Sequence, residues 1–217
     1  SGIDYVEADK ALYALEGTES SAVIDKEYIA WGPEYIGMDV LNRDIILSGI
    51  EPVETVVAVL DTGTDETHPG LYGRVIPTGV NTSTSGDVNS SMDDNGHGTQ
   101  VAGVVIDSTL DHVKVKPYKV LDKYGQGTVV TLAAGIICAV NDNVDVINMS
   151  ISLSENSETL REAVLLADRN DIVLVAASGN DSSDTAYYPA SFECVLKVGA
   201  SNESGTIANF STRGEDV

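Results

Sequence analysis

Three residues able to do chemistry stand where apolar runs stop. Asp61 closes TVVAVLD (55–61), His97 sits between two glycines in NGHGTQVAGVV (95–105), and Asn180 ends VAASGN (175–180). A carboxylate at the end of an apolar run is partly desolvated and needs a partner to stay charged. Gly96 and Gly98 let the backbone turn tightly and let another segment come close to His97. A side-chain amide behind small residues can donate to an oxyanion while leaving room for a substrate side chain. Each residue also has a plainer role: a turn-capping Asp, a surface or core His, a strand-end Gly-Asn turn.

Other chemistries fit less well. Leu-Asp-Thr-Gly resembles the motif of aspartic proteases, in which two carboxylates share a proton. No second Asp-Thr-Gly is present, and such a protein would be all-β. His97 has no second His at helical spacing and Gln100 is a poor ligand, which argues against zinc. LDKYGQGT (121–128) is glycine-rich, but no Gly-Lys-Ser/Thr follows to hold a phosphate. It could instead offer a pairing edge to an extended peptide, as could the end of INMSIS (147–152).

The elements that must position these residues are short apolar runs: 55–61, 113–121, 144–150, 171–178 and 194–200. Pro117 within VKVKPYKVL predicts an edge or a bulge for the second run. Helical stretches lie between them. One runs from Thr128 to Asn141 with Val129, Leu132, Ile136 and Ala139 on one face. Ser157 N-caps another, with Leu160, Val164, Leu165 and Ala167 facing inward. Apolar strands alternating with helices predict an α/β fold: a three-layer, mostly parallel sheet with helices on both faces. The ligand crevice of such a sheet lies at the carboxyl ends of its strands, which Asp61, Ser150 and Asn180 follow. Residues 1–30 show no strong period and read as a separate segment ending in a polar linker from Gly17 to Ser21.

Composition limits the partners. The 217 residues are 42% hydrophobic, enough for one domain with a sizeable core. Twelve basic residues against 34 acidic ones, a net charge of −22, disfavour nucleic acid and anionic membrane surfaces. This acidity suits a secreted protein's surface, and clustered carboxylates also raise the possibility of calcium. No run approaches 18 apolar residues, and no basic stretch followed by an apolar run opens the chain. Cys138 and Cys194 sit among apolar neighbours and read as small hydrophobes, which leaves the redox compartment open.

Taken in order, VLDTGTDETHPGL, DDNGHGTQVAG and AASGN resemble the three signatures of the subtilase family of serine proteases, from about Trp31 to Val217. INMS, YGQGT and YPASFECVLKVGAS fit the segments between. The resemblance implies a subtilisin-like serine endopeptidase with its triad in the order Asp, His, Ser. In it Asp61 orients the imidazole, His97 moves the proton, and Asn180 stabilises the oxyanion. Ser150, Ile151 and Ser152 would bind substrate backbone on one side and Gly125, Gln126 and Gly127 on the other. Ala177, Ser178 and Gly179 would line the pocket for the residue before the scissile bond. No cofactor is required.

This chain departs from the family pattern in four places. The family's Gly-Thr-Ser is absent, so the nucleophile is expected downstream and the C-terminal part of the domain is expected to be missing. Ser211 in ANFSTRG belongs to a different family segment. Gln100 replaces a His, and Ser152 and Leu153 replace glycines. The stretch from His97 to Lys119 lacks the long loop that carries a tight calcium site in many subtilisins, which lowers the calcium expectation.

YVEADKALYAL (5–15) resembles the end of an inhibitory propeptide, and AWGPEYIGMD (30–39) the start of a mature domain. Self-cleavage is then expected between about Leu15 and Trp31. The expected partners are a peptide or protein substrate, the propeptide, and the remainder of the domain carrying the Ser. Without that remainder the chain would be inactive and would expose apolar surface. A catalytically inactive subtilase-like binding protein is the alternative reading.

Overall fold

A computed structural model of the chain describes residues 8–15, 31–84 and 86–214. The linker at Gly17–Ser21 and the rest of the interval up to Trp31 lie outside the described residues. Six strands form one parallel sheet: β2 (Thr55–Asp61), β3 (Val80–Asn81), β4 (Val113–Lys119), β6 (Val146–Met149), β8 (Val173–Ala177) and β9 (Val195–Val198). Their spatial order is β3-β4-β2-β6-β8-β9. Chain order therefore reverses beside β2, and the crevice of the sheet opens there at the strand ends.

Alternation along β2 sorts its side chains between two cores. Ala58 and Leu60 join the larger cluster under α4 (Val129–Asn141) and α5 (Glu158–Asp168). Val57 and Val59 join a smaller one with Ala102 and Ile106 of α3 (His97–Asp107). Asp61 has the same parity as Val57 and Val59, so it faces α3. The expected three-layer α/β arrangement is what forms. Thr128 caps α4 and Ser157 caps α5, each accepting the amide three residues on.

Pro117 lies inside β4, which has β2 on one flank and β3 on the other, and not at a sheet edge. Val115 N–H donates to Arg74 O on the β3 side, and Pro117 shares that parity. The missing N–H thus falls where the flanking chain departs, between the bridge at Val75 and β3 at Val80.

Two helices precede the sheet, α1 (Trp31–Tyr35) and α2 (Met38–Ser48). The sequence suggested neither, and neither buries a residue. On the α3 face, Val173, Leu196 and Val198 of β8 and β9 are exposed. No described helix is long and apolar enough to cross a membrane.

A second, three-stranded sheet lies at the carboxyl ends of the main strands. β1 (Ala11–Ala14) runs antiparallel between β5 (Gln126–Thr128) and β7 (Ile151–Ser152). It is the feature that completes the site.

Candidate active site

The site is built from the end of β2 and the start of α3. Asp61 is fully buried, and its Oδ1 accepts from Thr62 N–H (2.7 Å) and from His97 Nδ1 (2.8 Å). A Cβ on Gly98 would overlap the Gly63 carbonyl and press on Asp61 Cβ, so only glycine lets the helix start this close to the strand end. With Nδ1–H given to Asp61, Nε2 of the neutral ring is an acceptor, the state a general base requires. Nε2 lies 3.2 Å from the carbonyl oxygen of Leu15. That contact becomes a hydrogen bond when the ring carries its second proton.

Sequence reasoning missed the network beneath this pair. Asp93 accepts from Thr62 Oγ1, Asn95 N and Gly96 N on one oxygen, and from Thr99 N and Thr99 Oγ1 on the other. These bonds hold its carboxyl below the usual range even though burial pulls the other way, as the largest single influence. Thr62 Oγ1 in turn accepts from Gly98 N–H (2.9 Å), so Asp93 ties the residue after Asp61 to both flanks of His97. Lys119, aligned with Asp61 across β2 and β4, is also buried. Its ammonium donates to Thr62 O and Asp94 Oδ1, both at 2.6 Å. The Asp-Asp pair at 93–94 was the available signal, but solvated Asp pairs look the same in sequence.

The two expected peptide-binding edges both flank β1. Leu12 pairs with Gly127 and Tyr13 with Gln126 on one side. Tyr13 pairs with Ser152 and Ala14 with Ile151 on the other. Ala14 N–H donates to Gly125 O (2.9 Å) and Leu15 N–H to Ser150 O (3.1 Å). Leu12 is fully buried and Tyr13 is 53% exposed, so β1 sinks one side chain into the core and leaves its neighbour outside.

Ala177, Ser178, Gly179 and Asn180 come off β8 beside the end of β6, since Met149 aligns with Ala176. Gly179 has φ +117, and a Cβ there would strike Thr212 and Tyr187. Asp181 holds this loop. It accepts from the Tyr187 hydroxyl (2.7 Å), from Ser183 and from Thr212 Oγ1 (2.8 Å). The Tyr187 bond foremost, with help from Ser183 and Thr212, brings its carboxyl down to about 2. Ser211 is fully buried; its hydroxyl accepts from Ala200 N–H and donates to Thr212 O. Among the described residues no group of three His, Cys, Asp or Glu side chains could hold a metal ion.

The subtilase family model matches residues 53–217. The chain belongs to the subtilase family. It is 35% identical to a thermostable alkaline protease of Halalkalibacterium halodurans, over 96% of this chain and 57% of that protein. It is 32% identical to subtilisin E of Bacillus subtilis, over 96% of this chain and 58% of that protein. It is 31% identical to the minor extracellular protease Epr of the same organism, over 98% of this chain and 34% of that protein. The chain thus spans less than two thirds of the length of these relatives.

Proposed function

We propose that this chain supplies the orienting acid, the base and the peptide-binding groove of a serine endopeptidase, and that its own N-terminal segment occupies the groove. The observation that carries the reading is the line from Asp61 through His97 to the Leu15 carbonyl, at the end of a strand paired on both sides. A carbonyl facing the base from the end of an extended, doubly paired peptide has the position of a scissile bond.

In this reading Asp61 fixes the ring in the tautomer whose Nε2 accepts a serine proton, and His97 returns that proton to the leaving amine. Asn180 donates to the oxyanion, and Ala177, Ser178 and Gly179 border the pocket for the Leu15 side chain. Ser150–Ser152 and Gly125–Gly127 hold the substrate backbone. Residues up to Leu15 are the end of an inhibitory propeptide, and the first cut falls just after Leu15. The nucleophile belongs to sequence outside these 217 residues, since no Gly-Thr-Ser occurs within them and the Ser211 hydroxyl is buried and engaged. The setting is extracellular, and no cofactor takes part.

The test is a serine-reactive phosphonate probe applied to the product of the whole gene. Labelling should occur and should slow by about a thousandfold or more in His97→Ala. Absence of labelling on a protein with an intact Gly-Thr-Ser would favour an inactive binding protein. N-terminal sequencing of the mature product should begin shortly after Leu15, and an intact Ser1 terminus would remove the propeptide reading.

A further inference from the structure

The strand in the groove makes contacts beyond those that align Leu15 with His97. Lys10 O accepts from Val129 N–H (2.7 Å), and Asp9 Oδ1 accepts from Val130 N–H (3.0 Å). These are the first two amides of α4, donors that no helical carbonyl can satisfy. Thr128 caps the amide of Thr131 and leaves both of them to the segment. A carboxylate is also the favoured charge at this positive end of the helix.

On the opposite wall, Lys10 Nζ donates to Asn156 O (2.6 Å) and stands 3.6 Å from Glu155 Oε2. In so acidic a chain a nearby glutamate alone would mean little. Here the carbonyl bond fixes the ammonium, and the Lys10 side chain is only 26% exposed. The segment therefore carries two opposite charges on adjacent residues, each on its own wall of the groove.

We infer that the peptide groove continues past its apolar part into a charged subsite, which takes a basic side chain at the sixth residue before the scissile bond and an acidic one at the seventh. This rests on the proposed reading of β1 as a substrate-like strand with Leu15 first in that count. The fitting ligand is an extended peptide with an acidic residue three positions, and a basic one two positions, upstream of the apolar side chain at the Leu12 position. A recess of about 260 Å³ bounded by Lys10, Ala11, Leu153, Ser154 and Glu155 leaves space for arginine in place of lysine.

Amide hydrogen exchange on the 217-residue chain separates this inference from the reading beneath it. The Ala14 and Leu15 amides, bonded to Gly125 O and Ser150 O, report docking of the strand. Lys10→Glu should speed their exchange by about tenfold, a loss typical of a charge-assisted contact turned repulsive. Adding Glu155→Lys to Lys10→Glu should recover most of that loss, and Lys10→Arg should stay within about twofold of the parent. Amides in the middle of β2 should not change in any variant, which guards against a general loss of structure. Protection that survives Lys10→Glu, or a reversal that Glu155→Lys does not repair, would overturn the subsite and leave the docked strand standing. Unprotected Ala14 and Leu15 amides in the parent would overturn both.

Discussion

Two strand ends in this molecule solve the same problem with different materials. At the end of β2 a carboxylate hub, Asp93, fixes the loop that presents His97, and Lys119 props it from below. At the end of β8 another hub, Asp181, fixes the loop that presents Asn180. Each accepts several hydrogen bonds, and each has its carboxyl held below the ordinary range. They differ in their access to water. The first hub binds to buried Thr62 beside fully buried Asp61, whereas Asp181 is exposed. A buried polar network is costly to break because the groups left behind lose both partner and solvent. An exposed one is cheaper to break, because water replaces the lost partner. The His97–Asp61 pair is therefore held by a partly buried network, and the Asn180 loop by an exposed one that protonation of Asp181 undoes.

Asp93→Ala should show the largest effect, since it strips an acceptor from Thr62, Asn95, Gly96 and Thr99 together. The unfolding free energy in urea should fall by about 2 kcal/mol, the range expected when buried Thr62 and the part-buried donors around it lose one shared partner. The low-field resonance of the His97 Nδ1 proton should broaden or vanish as Thr62 and Gly98 come loose. If Asp93→Ala costs no more than Asp181→Ala, the contrast between the two hubs collapses.

Lys119→Met comes next. Methionine nearly fills the space of the lysine stem but leaves Thr62 O without its donor. Asp94 is half exposed and can hydrate, so the loss should be below about 2 kcal/mol and not that of a fully buried pair. A neutral result in the same urea measurement would mean that Lys119 acts only as packing.

Much of this was legible in sequence, and the unread part has a physical cause. The apolar runs ending at Asp61, Met149 and Ala177 carried the parallel sheet, and the caps at Thr128 and Ser157 carried two helices. Asp61, His97 and Asn180 stood out because each follows an apolar run or sits among glycines. Lys119 did not, because its importance comes from the β2–β4 register, which opposes it to Asp61 across a gap of 58 positions. Strand β1 was flagged only by the resemblance of YVEADKALYAL to an inhibitory propeptide, not by a pattern of its own, for a related reason. ALYA buries one side chain and is extended through its two neighbours, so it shows no period of its own. The helix at Met38–Ser48 has no buried face, so no clean apolar stripe marked it.

The smallest change should come from Asp181, and it sharpens the comparison most because its direction is fixed. A carboxyl held at about 2 against an ordinary 3.8 contributes its stabilisation in full above the ordinary value. That contribution is lost as pH falls through about 2, when the protonated acid gives up its role as acceptor for Tyr187, Ser183 and Thr212. The same bond acts on Tyr187 in the opposite sense. Asp181 raises the phenol above its usual 10, so the hydroxyl keeps its proton to higher pH than an ordinary tyrosine. Two titrations of the Tyr187 ring, followed by NMR, should therefore report one hydrogen bond from both ends. In the parent chain the acid step should fall near pH 2 and the alkaline step above 10. In Asp181→Asn the acid step should disappear and the alkaline step should move down, with the His97 Nδ1 proton unchanged. An acid midpoint near the ordinary carboxylate value would show that the hub does not hold the Asn180 loop. A His97 resonance that moves with it would show that the two strand ends are one network.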